Sequence, residues 1–116
     1  MINSFDDGEN LFKLFSTDTK MRTANLLFHV DEMCVTDVKL FIKGKDQSVI
    51  SIYLNELVRM GLAVRRPEAQ KRYYRFTNEG KRFIYPFLLP LQNIPKIQDD
   101  IRKIYSMNMQ NTSSLN

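Results

Sequence analysis

One cysteine, one histidine and no tryptophan stand among the 116 residues of this chain, and each scarcity closes off a class of function. A lone thiol, Cys34, cannot build an intramolecular disulfide framework, and with only His29 beside it no zinc-type ligand spacing exists, so neither a metal nor a cofactor is expected. The four glycines are scattered along the chain, which excludes a phosphate-cradling loop, and no spacing of Ser, His and acid suggests a nucleophilic site. An enzyme is not expected. Long hydrophobic runs are also missing. The most apolar stretch, Phe83 to Leu91, contains two prolines and falls far short of the roughly 20 residues of a membrane span. At the N-terminus, Asp6, Asp7 and Glu9 replace the basic patch and apolar run of a secretory leader, so the expected location is the cytoplasm, with no membrane partner.

Hydrophobic residues make up 43% of the chain, enough for one core in one domain. Charge is uneven. Residues 1–41 carry four basic and seven acidic groups, residues 42–82 ten and four (net +6), and residues 83–116 three and two. A basic middle third suits a polyanion, because every phosphate neutralised releases condensed counterions.

Along the chain, residues 1–8 read as a flexible polar arm and residues 9–15 as a short helix carrying Leu11, Phe12, Leu14 and Phe15. Asp18, after Thr17, offers an N-cap for a helix to about Val30, and Thr36 one for a third helix that stops at Gly44. Asp46 caps a fourth, whose Ile50, Leu54 and Leu57 form a helical stripe ending at Gly61. Leu62 to Phe76 then alternates as two strands around a basic turn near residues 68–70. Thr77 caps a helix kinked near Pro86 and ended by Pro90, and Pro95 opens a last one. Residues 108–116 are polar and read as a disordered tail. The fold class is mainly α with a small β-hairpin.

Helix, helix, tight turn, helix, basic hairpin is the order of a winged helix-turn-helix, here spanning residues 9–90, with an extra C-terminal helix at 91–107. Three stretches carry a family resemblance. LFKLFSTDTKMRTANLL (11–27) resembles the first two helices of ArsR-type bacterial repressors, DQSVISIYLNELVRMGL (46–62) their recognition helix, and KRYYRFTNEGK (71–81) the second wing strand and the helix after it. The resemblance covers about residues 9–84. It implies a cytoplasmic homodimeric transcription regulator, usually a repressor, that binds a short inverted repeat in double-stranded DNA. Many such proteins release DNA when a Cys-x-Cys-x-x-Asp run binds metal. Here Cys34 matches the first cysteine, but Thr36 stands where the second should be, and one thiol with one carboxylate is no soft-metal site.

Residue chemistry supports the same reading. With Ile50, Leu54 and Leu57 inward, Ser48, Val49, Ser51, Ile52 and Asn55 face outward near the start of the helix that meets base edges. Gln47, Ser48 and Ser51 can exchange hydrogen bonds with bases or phosphates, Tyr53 can donate to a phosphate, and Val49 or Ile52 can pack on a thymine methyl. The alternative is that Ile52 and Tyr53 pack on the wing or the first helix. Lys43 and Lys45 precede the helix, and Arg65, Arg66, Lys71, Arg72 and Arg75 surround the wing turn as candidate backbone contacts. A solvated hairpin with no partner is the plainer alternative. In the last helix, Ile97, Ile101, Ile104 and Tyr105 form a stripe that a second copy could cover together with Leu11, Phe12 and Phe15; otherwise the helix folds back on its own domain. Two other functions stay open: a winged-helix module that binds an acidic protein, and a thiol-responsive regulator acting through Cys34.

Overall fold

Side-chain caps fix where the helices begin in the computed structural model, which describes residues 4–107. α1 (Phe5–Lys13) starts where the Ser4 hydroxyl accepts from the Asp7 amide at 3.1 Å, and Asp6 and Asp7 complement the positive end of the helix dipole. The predicted arm is therefore helical from Phe5 onward, and the same acids that read as polar linker are its first turn. α2 (Asp18–His29) is capped by Thr17 rather than the expected Asp18. Lys20 ties the two helices, its ammonium donating to the Lys13 carbonyl at the end of α1. α3 is short, Val35–Lys39, and begins two residues before the predicted start: the Asp37 carboxylate accepts from the Cys34 amide, leaving Thr36 inside the helix. It stops well before Gly44 in a multi-residue turn, where Gly44 takes a positive φ of 81°.

α4 (Gln47–Arg59) is capped by Asp46 as predicted, with Gly61 at φ 78° closing its C-terminal end. β1 (Ala63–Glu68) and β2 (Lys71–Phe76) pair antiparallel from Ala63–Phe76 to Glu68–Lys71. Tyr74 also exchanges backbone hydrogen bonds with Met33, 3.0 and 2.9 Å, so β2 is held on both sides and β1, which includes Pro67, forms the outer edge. Thr77 caps α5 (Asn78–Leu88), which runs through Pro86 and passes at Leu89 into a single 3-10 turn that accommodates Pro90. α6 (Pro95–Ser106) follows. The predicted tail at 108–116 lies outside the described residues.

The core joins all of these elements: Leu26 and Leu27 of α2, Ile50, Leu54 and Leu57 of α4, Tyr74 and Phe76 of the wing, Ile84 and Leu88 of α5, and Ile104 of α6. Ile97 and Ile104 are 2% and 0% exposed within one chain, each burial contributing roughly 1.5–3 kcal/mol. α6 therefore folds back on its own domain against α2, correcting the expectation that Ile97 and Ile104 face a second copy. Leu11 is likewise buried in its own core. A bidentate ion pair completes the α2–α6 contact: Arg22 Nε and Nη2 donate to the Asp100 carboxylate at 2.8 and 2.9 Å, with the Asp100 side chain 5% exposed.

Candidate nucleic-acid interface

α3, the turn at residues 40–46 and α4 form a helix pair, and burial of Ile50, Leu54 and Leu57 decides which side of α4 is left open. Gln47, Ser48, Val49 and Ile52 are exposed, with Ile52 68% accessible, while Ser51 and Asn55 are half-buried. Asp46, whose carboxylate accepts from Ser48, is held below its ordinary pKa by that hydrogen bonding and keeps the first turn of α4 formed. Tyr53 departs from the expectation. It is 4% exposed, with a buried hydroxyl that has no hydrogen-bond partner among the described residues, and burial pushes its pKa up. A side chain in that position cannot donate to a phosphate, so the packing alternative holds for Tyr53, while Ile52 is left accessible.

The wing lies alongside. Tyr74 and Phe76 point into the core, as strand alternation predicts, and Arg65, Arg66, Lys71, Arg72 and Arg75 are all exposed, as are Lys43 and Lys45 in the turn. These cations differ in what they touch. Arg65 donates to the Asn55 side-chain oxygen, and Asn55 in turn donates to the Ser51 carbonyl at 2.9 Å, so wing and α4 are stitched together. Arg66 is held by two carboxylates, Glu32 before α3 and Glu68 on its own strand, and its guanidinium lies 4.9 Å from the Tyr73 ring centroid. The hydrogen bond from Arg66 keeps the Glu32 carboxyl below its usual range. Arg66 is thus paired with two carboxylates in the free protein, and a phosphate would have to compete with them. Lys71 and Arg72 form no ion pair with any described residue.

Between α4 and the wing runs a cavity of about 290 Å³ whose walls include Gln47, Ser51, Asn55, Arg65, Lys71 and Arg72. None of its described lining residues is acidic. Cys34, 3% exposed, also borders it; of the nearby carboxylates, Glu32 is paired with Arg66 and Asp37 is engaged as a helix cap. No group of three or more His, Cys, Asp or Glu side chains that could hold a metal ion exists among the described residues. No described helix is long and apolar enough to cross a membrane. Glu32, Arg22 and Asp100 escaped the sequence reading because each meets its partner across 34 or 78 positions, a distance over which spacing carries no signal.

No family model matches the chain, and no curated protein matches its sequence. Solved structures do. HlyU from Vibrio cholerae N16961 is 26% identical, with a TM-score of 0.55 over 75% of this chain and 94% of that one. The AntR antimony-specific transcriptional repressor is 24% identical, with a TM-score of 0.58 over 78% of this chain and 83% of that one. The homodimeric winged helix-turn-helix DNA-binding domain of Mb0332 from Mycobacterium bovis is 19% identical, with a TM-score of 0.53 over 81% and 94%. The fold is a winged helix-turn-helix, as in Mb0332, which is described as a possible ArsR-family transcriptional regulator, while AntR is described as a transcriptional repressor.

Proposed function

We propose that this protein is a sequence-specific, DNA-binding transcription regulator, a cytoplasmic homodimeric repressor that reads an inverted repeat in duplex DNA. The observation that carries the reading is the groove between α4 and the wing, walled by three cations and no described acid and flanked by the exposed start of a helix. α4 enters the major groove, with Gln47, Ser48, Val49, Ser51 and Ile52 toward base edges, while Arg65, Lys71, Arg72 and Arg75, with Lys43 and Lys45, meet backbone phosphates. The repressor role is supported by the structural likeness to regulators such as AntR and HlyU.

With Leu11, Ile97 and Ile104 buried in the protomer, the dimer surface is assigned to the exposed side of α1 and the part of α5 it packs against. Phe12 is 69% exposed, and half-buried Phe15, three residues on, stacks on Phe87 at 4.9 Å; this aromatic patch is the surface that a second copy covers. Ile101 and Tyr105 of α6 stay accessible. Without a Cys34 partner ligand, metal plays no part in DNA release. The test is selection of bound sequences from a random duplex library: an inverted repeat with half-sites about one helical turn apart, roughly 34 Å, is expected. Recovery of no enriched sequence, with binding indifferent to salt, would refute the reading.

A further inference from the structure

The turn between α3 and α4 aims the reading helix, and while its amides bond back to α3 and Phe41 and Ile42 enter the core, two of its carbonyls find their partners elsewhere. α3 has five residues, and the carbonyls of Leu40 and Phe41 fall beyond its end. Both are taken up by cations set by α6. Arg22 Nη2 donates to the Phe41 carbonyl at 2.9 Å while the same guanidinium is locked by the two oxygens of Asp100. The Lys103 ammonium donates to the Leu40 carbonyl and sits 5.0 Å from the centroid of the Phe41 ring. Ile97 and Ile104, buried at either end of the helix, fix α6 in place. Asp100 pulls a cation from α2 onto one carbonyl, and Lys103 reaches the preceding one directly, so two consecutive acceptors in the turn are gripped from one helix.

We propose that α6 is a brace for the helix-turn-helix, in which Asp100 and Lys103 are positioning residues that set the angle of the turn and so the aim of α4. Neither side chain touches DNA in this arrangement. They act through the backbone at Leu40 and Phe41, next to Lys43 and Lys45. The brace is a property of the free protein, and only its effect on binding rests on the DNA-regulator reading.

The experiment compares the full chain with Asp100→Asn and Lys103→Met. In the DNA-free protein, hydrogen exchange is read at the Phe41 and Ile42 amides, which donate to the Val38 carbonyl at 3.0 Å. Both variants are expected to exchange faster there while amides of α5 keep their protection. Duplex affinity is expected to fall between about two- and thirtyfold, the range of couplings carried through a packed network, with base preference, salt slope and dimer mass unchanged. Should Asp100→Asn fail to fold, Lys103→Met decides, because its ammonium lies on an exposed side chain whose loss leaves no buried charge. Unchanged exchange at both amides overturns the brace, as does faster exchange with undiminished affinity. A change of preference at one base position also overturns it, since α6 would then be reading DNA itself. If the parent chain binds no duplex, the DNA reading fails by that result, and the exchange measurement still decides the brace.

Discussion

Two arginines of the wing, Arg66 and Arg72, look equivalent in sequence and should behave differently under salt. Arg66 is bracketed by Glu32 and Glu68, whereas Arg72 has no described ion pair and borders the groove beside α4. Each phosphate neutralised contributes about −0.9 to the slope of log affinity against log salt. Between 50 and 200 mM salt, one contact is therefore worth about a 3.5-fold loss of affinity. Arg72→Ala is expected to remove one such contact, so the affinity ratio between the two salt concentrations shrinks by about 3.5-fold. Arg66→Ala is expected to leave that ratio unchanged and to weaken binding, if at all, by loosening the wing. Fluorescence anisotropy with a labelled duplex, titrated at four or five salt concentrations, measures both slopes. Equal flattening by the two substitutions would show that Arg66 leaves its carboxylates for a phosphate on binding, and would refute the difference between the two arginines.

Other outcomes follow from single contacts. A Cβ at Gly80 would lie 2.0 Å from the Leu62 carbonyl oxygen, which also accepts from the Thr77 amide; Gly80→Ala should cost about 2–4 kcal/mol in urea unfolding from overpacking and the strained hydrogen bond, and a change under about 0.5 kcal/mol would deny the close approach. Phe12→Glu should dissociate the dimer in sedimentation without lowering protomer stability, because Phe12 is exposed in the protomer; an intact dimer would remove α1 from the interface. His29 is held below its ordinary pKa of 6.5, first by burial and then by Lys81. The unfolded chain therefore takes up that proton at higher pH than the native one, so stability is full above about pH 6.5 and declines as pH falls toward the native pKa. His29→Gln should flatten that decline in thermal melts, and an unaltered pH profile would contradict it. Gln47→Ala should change preference at one position per half-site by roughly 1–3 kcal/mol, whereas uniform weakening would mean that the start of α4 positions without reading.

The elements were legible because their signals are local. Asp46 and Thr77 act through amides two or three residues away, and the inward stripe Ile50, Leu54, Leu57 is a helical period. Gly61 ends α4 for a reason visible in a single residue. Failures came where a longer-range partner outbid the local one. Thr36 is a good cap in isolation, but the Met33–Tyr74 bridge sets the chain entering α3, and Asp37 caps it from inside. The Ile97 and Ile104 stripe was visible as apolar, yet periodicity says which face is buried and not whose surface buries it. Arg66 shows the same limit for charge: composition counts a cation, and only the fold brings Glu32 to it.

The placement of β1 at the outer edge of the wing bears on association of a different kind. An unpaired strand edge is a template onto which another extended chain can add, whether a partner's peptide or a second misfolded copy. β2 is covered by β1 on one side and touched by Met33 at Tyr74 on the other, whereas β1 is an open edge that carries Arg65, Arg66 and Pro67 in succession. Proline removes a backbone donor and the arginines repel a like copy. The β1 edge is therefore guarded against strand addition, which leaves its side chains and their charge as the means by which that edge meets a partner.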